Sequence, residues 1–193
     1  MSKTMINLSH LRDLTIKYGE DWGYAHVCRV LHLIGEIGAG MAYDENITLY
    51  AAHLHDWGAF PHFQLPNVEH SLRSKQVAEE QILPFTLLGP AARQNVLEAI
   101  SRHDYRDIHP AGTLEALLLR EADMLDMLGT LGVMREFAWG SNGLKASYSR
   151  ALARRDGIAG RLTLPRSISM AEERLARMDR LFAELMEESF GHL

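Results

Sequence analysis

Two adjacent residues, His55 and Asp56, carry the clearest chemical signal in the chain. They close an apolar run, Leu49-Tyr-Ala-Ala-His-Leu-His-Asp-Trp-Gly58, that reads as a helix stopped by Gly58. Imidazole beside carboxylate is a donor pair suited to a divalent metal. At a helix end the backbone leaves regular geometry, so two neighbours can turn toward one ion. Taken alone, such a dipeptide is more often a surface histidine beside a solvated aspartate. Four other residues give it weight: His26 before it, then His70, His103 and Asp123 after it. Each lies on a segment with helical spacing. Asp123 sits inside Leu117-Leu-Leu-Arg-Glu-Ala-Asp-Met-Leu-Asp-Met-Leu128. A carboxylate buried there without a partner incurs a large desolvation penalty, which a bound cation relieves. The alternative is an ion pair with Arg120 or Arg135 at the edge of the apolar stripe, and on pattern alone that alternative is slightly favoured.

Helices must position these groups. Leu8, Leu11, Leu14, Ile16 and Tyr18 predict a short amphipathic helix within 5–19, stopped by Gly19. Asp21 is the expected N-cap of a second helix, roughly 22–41, in which His26 and Arg29 share a face. A third spans 45–57 and carries His55 and Asp56. Residues 58–66, with Gly58, Pro61 and Pro66, read as a loop. A fourth helix covers 67–83 and holds His70. A fifth opens at Gly89-Pro90 and runs to His103. After a polar loop at 104–112, Thr113 caps a long segment, 114–138, whose leucines surround most of its circumference. It is expected near the centre of the domain. Residues 139–165 read as loop with a short helix around 144–154. The last helix, about 169–190, begins at the capping-box pattern Ser169-Met-Ala-Glu172, and its apolar stripe either packs on the core or serves a homodimer contact. No β-alternation persists over a strand length. The expectation is an all-α, single-domain helical bundle.

Composition narrows the function classes. A chain of 193 residues holds one well-cored domain. A net charge of −5 argues against a broad basic surface for duplex nucleic acid. One cysteine, Cys28, excludes an internal disulfide and suits a reducing compartment. The N-terminus lacks a basic-then-apolar leader, and no apolar run is long enough to span a bilayer. The expected setting is cytoplasmic.

The order His26, His55-Asp56, Asp123 resembles the HD-domain superfamily of metal-dependent phosphohydrolases, of the small stand-alone bacterial type. His26-Val-Cys-Arg-Val30 resembles the first-ligand helix, Ala51-Ala-His-Leu-His-Asp-Trp-Gly58 the namesake motif, and Glu115 through Phe137 the last-ligand helix. The match covers about 22–138, with the C-terminal helix expected to pack on that core. Two departures bear on substrate contacts: Ala59-Phe60 follows the HD-Gly step, where a polar residue is usual, and Met124 stands where arginine is common.

The resemblance implies an all-helical bundle in which His26, His55, Asp56 and Asp123 hold one divalent ion: Mn, Fe, Co, Ni, Zn or Mg. Asp56 has two oxygens and can bridge to a second ion, for which His70 and His103 are candidates; the alternative for each is a partly exposed histidine at a helix end. The expected reaction is hydrolysis of a small phosphate ester or nucleotide by a metal-activated water, with His55 and Asp56 at its centre. Arg29 and Arg102 are candidate phosphate contacts, ahead of Lys75 and Arg106. Asp126 either orients a ligand or pairs with an arginine. Competing readings are a di-iron oxygenase of the same fold, using all six donors, and a non-catalytic nucleotide-binding module. His53, two positions from His55, is read as structural. No aromatic-and-basic platform for stacking bases is evident, so a small phosphorylated molecule is favoured over nucleic acid.

Overall fold

The computed structural model describes residues 5–139 and 143–193, and the chain forms two compact units, Met1–Arg120 and Glu121–Leu193. The first unit contains α1 (Leu8–Tyr18), α2 (Gly23–Ile37), α3 (Glu45–Leu54), α4 (His70–Val77) and α5 (Pro90–Arg102), and the first half of α6 (Leu114–Asp126). The second contains the rest of α6, then α7 (Gly129–Trp139), α8 (Gly143–Ile158) and α9 (Pro165–Glu188). No strand occurs among the described residues, and none of their helices is long and apolar enough to cross a membrane. The fold is all-α.

Local chemistry sets the ends of these helices. Asn7 caps α1 by accepting from the His10 amide at 2.9 Å. Asp44 caps α3, accepting from Asn46 at 2.8 Å and Ile47 at 3.4 Å. Pro90 opens α5, where its missing N–H is no loss. Thr113 caps α6 as expected, accepting from the Ala116 amide at 3.2 Å. In the first unit α1 packs on α2 and α3, α2 on α3, α3 on α5, and α5 on α4. Leu11, Val30, Ile34, Leu54, Val77 and Ile100 are buried among them. Each such side chain contributes roughly 1.5–3 kcal/mol of transfer free energy. This packing brings the ends of the four histidine-bearing helices together.

Several expectations need correction. Asp21 does not cap α2; Trp22 occupies that position with no side-chain cap bond. The fourth helix is regular only over His70–Val77 and widens into a π-type turn at Ala78–Ile82. The segment 114–138 is two helices. The Met127 amide divides between the Asp123 and Met124 carbonyls, both at 3.2 Å, the ladder tightens, and Gly129 turns the chain with φ of +79°. That left-handed geometry is cheap only for glycine. The expected circumferential burial does hold for α6, where every residue from Leu118 to Asp126 is buried.

The fourth correction concerns the last helix. Ser169-Glu172 lies inside α9, which starts at Pro165. Its cap comes from far along the chain: the buried Glu121 carboxylate accepts from the Thr163 amide at 2.7 Å, the Thr163 hydroxyl at 2.7 Å and the Leu164 amide at 3.1 Å. An anion at a helix N-terminus also opposes the helix dipole. The short helix expected at 144–154 is the longer α8, while Gly140, Ser141 and Asn142 of the expected loop lie outside the described residues. In α9 Met178 and Phe182 are buried, with the Phe182 ring edge-on to Tyr148 at 5.2 Å.

Candidate metal centre

Asp56 lies at the middle of the site, just beyond the end of α3. Its Oδ2 is 3.4 Å from His26 Nε2 and 3.6 Å from His55 Nε2. Its Oδ1 is 3.6 Å from His70 Nε2 and 3.7 Å from His103 Nε2. Within each histidine pair the Nε2 atoms are close: 3.0 Å for His26 and His55, and 3.1 Å for His70 and His103. One carboxylate therefore presents one oxygen to each of two imidazole pairs. His26, His55 and His103 are buried, and His70 is about a quarter exposed. His55, Asp56 and His103 also offer donor atoms all within 4.8 Å of one another.

Two backbone contacts orient the rings. The Ala52 carbonyl accepts from His55 Nδ1 at 2.9 Å, and the Ile100 carbonyl accepts from His103 Nδ1 at 2.7 Å. A neutral ring that donates through Nδ1 carries a lone pair on Nε2, and that lone pair faces the centre. At such separations the partner ring of each pair either donates its Nε2 proton to that lone pair or shares a cation with it. For metal–ligand bonds of about 2.1 Å, adjacent ligands stand roughly 3.0 Å apart in octahedral and roughly 3.4 Å in tetrahedral geometry. The observed separations fall in or near that range, and the mixed nitrogen and oxygen set suits a first-row divalent ion. The donors present thus fit a metal.

Burial by itself would raise the pKa of Asp56. The His55 imidazole, the close approach of His103, and the fields of His26 and His70 outweigh it and hold the carboxyl well below the usual range. Asp56 is an anion at any physiological pH.

The neighbouring chain is shaped to permit this arrangement. At Gly58 a Cβ would run into the His70 carbonyl, with the Ser74 nitrogen at 2.7 Å and Arg73 Cβ at 2.8 Å. The Gly58 amide donates to Ser74 Oγ at 2.8 Å. The turn after Asp56 thus lies directly on the first turn of α4 and brings His70 beside it. Phe60, one of the departures from the family pattern, is a buried plug: its ring is edge-on to Trp22 at 5.4 Å and fills the space left by Gly19 and Gly23. The other departure, Met124, is buried on α6.

The remaining predicted residues fall as follows. Asp123 is buried on α6, in the second unit. Asp126 is also buried and accepts from Arg135 at 2.6 Å, the arginine-pair alternative. Arg120 donates to the carbonyls of Arg102 and His109. Arg29 is half-buried on α2, one turn after His26. Arg102 is held by Glu98 at 3.3 Å and Asp107 at 3.0 Å. Arg106 is tied to Asp104 at 2.5 Å. His53 is buried, with Nδ1 3.2 Å from the Thr15 hydroxyl and its ring stacked on Tyr24. Burial, and then the Arg12 charge, push its pKa down to about 4. It is a structural histidine.

Sequence reasoning missed one acidic group, Asp104. It is buried, and its Oδ2 lies 3.7 Å from His70 Nε2. Its signal was the second His-Asp dipeptide, His103-Asp104, at the end of a helix as His55-Asp56 is.

A family model for the HD domain matches residues 23–128. Among solved structures, YpgQ from Bacillus subtilis is similar at a TM-score of 0.71 and 22% identity, over 94% of each chain. YpgQ in complex with ADP is similar at 0.70 and 21%, over 94% of this chain and 97% of that one. A predicted HD superfamily hydrolase from an uncultured Thermotogales bacterium is similar at 0.64 and 22%, over 94% and 90%. No curated protein matches the sequence. With more than half of its length matched by the family model, and with an all-α fold shared with HD superfamily hydrolases, the chain belongs to the HD domain family.

Proposed function

We propose that the protein is a metal-dependent phosphohydrolase acting on a small phosphate ester or nucleotide. The observation that supports this most directly is the Asp56 carboxylate set between two imidazole pairs, with every donor turned inward. In this reading His26, His55, Asp56 and Asp123 hold the first divalent ion, and His70 and His103 join Asp56 at a second. Asp123 is included on the family resemblance; it is a buried carboxylate, an oxygen donor suited to a divalent ion. When bound, a divalent ion supplies Lewis-acid activation of water and offsets phosphoryl charge.

The chain's own residues do the rest. Asp56 stays ionised and fixes the spacing of the two histidine pairs. The Ala52 and Ile100 carbonyls keep His55 and His103 in the tautomer that faces the centre. Arg29 and Arg102 are the proposed phosphate contacts. For Arg102, an incoming phosphate competes with Glu98 and Asp107 for the guanidinium. The ADP complex of the structurally similar YpgQ supports a nucleotide-sized substrate.

The test is a phosphate-release screen over nucleotides and simple phosphate esters, with Mn2+ added and with chelator. Turnover with Mn2+ that chelation abolishes, and that Asp56→Asn lowers by about a thousandfold or more, is expected. Turnover indifferent to chelation or to Asp56→Asn would overturn the proposal. A second reading, a di-iron oxygenase, draws on the same observation, because two histidine pairs around one carboxylate also suit two irons. Oxygen consumption by the iron-loaded protein favours it, whereas full activity with Mn2+ under anaerobic conditions excludes it.

A further inference from the structure

The site contains the same dipeptide twice. His55 follows the last residue of α3 and His103 follows the last residue of α5. Each ring donates through Nδ1 to the carbonyl three residues back. Each is followed by an aspartate. α3 and α5 pack together, and the two rings meet edge to face at 4.8 Å. The first aspartate has a role in the proposed centre. The second has none so far, although it is only 8% exposed.

We propose that Asp104 is a direct protein ligand of the second cation, completing a set with His70, His103 and Asp56 Oδ1. This rests on the metal-centre reading above. Asp104 Oδ2 is 3.7 Å from His70 Nε2. That is too long for a hydrogen bond and close to the separation of two ligands sharing an ion. The edges among His70, His103 and Asp56 Oδ1 are 3.1, 3.6 and 3.7 Å.

Arg106 aims the carboxylate. Its backbone amide donates to Oδ1 at 2.8 Å, its Nε to Oδ1 at 3.0 Å and Oδ2 at 3.2 Å, and its terminal nitrogen to Oδ2 at 2.5 Å. The single Nε proton is shared between the two oxygens, so three N–H donors meet about four lone-pair positions; the clamp fixes the carboxylate's orientation and leaves a position on Oδ2. Arg106 also reaches Glu69 at 3.6 Å, the residue before His70, and so ties both sides of the second position together. An aspartate serving only to hold a half-exposed arginine gains nothing from burial beside His70.

The test counts and titrates Mn2+ on the full chain, by elemental analysis and calorimetry, with electron paramagnetic resonance reporting coupled manganese pairs. The parent is expected to bind two equivalents and show the coupled signal. Asp104→Asn, nearly isosteric, is expected to keep the first equivalent, weaken the second by about ten- to a hundredfold and lose the coupled signal. Arg106→Gln, at a half-exposed position, removes the clamp that aims the carboxylate and is expected to weaken the second equivalent by about ten- to a hundredfold while leaving the first, which keeps the proposal testable should Asp104→Asn not fold. A parent that binds one equivalent, an Asp104→Asn protein with parental affinity at both sites, or Arg106→Gln with unchanged second-site affinity would overturn the role of Asp104. Failure of the metal-centre reading itself looks different: the parent binds no Mn2+, or Asp56→Asn binds it as well as the parent.

Discussion

Replacing Gly58 with alanine probes how the backbone sets the metal centre. The added methyl would meet the His70 carbonyl, Ser74 N at 2.7 Å and Arg73 Cβ at 2.8 Å, all in the first turns of α4. Ordinary contact is 3.5–4.0 Å, so that turn must recede by about 1 Å. Overpacking of this kind costs about 1–3 kcal/mol. The buried hydrogen bond from Gly58 to Ser74 contributes about 1 kcal/mol more when broken. Loss of glycine's freedom in the unfolded chain offsets about 0.4–1 kcal/mol. The net is a destabilisation of about 2 kcal/mol, which for a chain of this length lowers Tm by roughly 4–8 °C.

The same displacement draws His70 away from Asp56, so on the proposed two-ion reading the second equivalent of Mn2+ is expected to weaken more than the first. Urea and thermal unfolding of the metal-free protein, followed by Mn2+ titration, measure both effects. Gly35→Ala is the control: its Cβ meets nothing within 4 Å, and alanine inside α2 is expected to raise stability by about 0.5–1 kcal/mol. A Gly58→Ala protein with parental stability and parental metal content would refute this account of how α4 is placed.

Other expectations follow from the same geometry. Burial would raise the pKa of Asp107, but the His109 backbone and side chain and Arg102 lower it to about 2. A carboxyl whose pKa is lowered on folding adds stability above its unfolded pKa and loses it as pH falls through about 4 toward 2. Asp107→Asn should therefore cost at most about 2 kcal/mol at neutral pH and flatten this part of the acid limb, as read by urea unfolding between pH 2 and 7. Glu121→Ala removes the cap of α9 together with three hydrogen bonds to a buried charge, and is expected to cost about 3 kcal/mol, with Glu121→Gln costing less; equal unfolding midpoints for Glu121→Ala and the parent would contradict it. Cys28 is exposed, so one thiol per folded chain should react with a disulfide reagent without loss of helicity by circular dichroism. A thiol that reacts only after unfolding would contradict its placement.

The histidines were legible because chemistry and periodicity agree at them. His26, His70 and His103 each fall on a helical pattern, and together they give weight to the His-Asp dipeptide at the end of α3, which alone says little. Asp104 was less visible, since one more acid in a polar loop carries no periodic signal; only its repetition of His55-Asp56 marked it. Long-range capping was invisible for a related reason. Glu121 reads as one charge on a helix face, while Ser169-Glu172 matches a local cap by pattern but lies within α9. The break between α6 and α7 had one cue, Gly129, which an unbroken run of leucines outweighed. Phe60 read as a departure from a polar position, and its role appeared only with the two facing glycines, Gly19 and Gly23, that make room for it.

The carbonyl tethers on His55 and His103 restrict what evolution or an engineer can place there. An asparagine's amide nitrogen mimics Nδ1 and could satisfy the carbonyl, but it has no atom in the position of Nε2. A glutamine's amide reaches the position of Nε2 and loses the tether. Only an imidazole spans both tasks, a proton for the backbone at one side and an electron pair for the interior at the other. Amide replacements at these two positions are therefore instructive in pairs: one separates anchoring from ligation, and the other does the reverse.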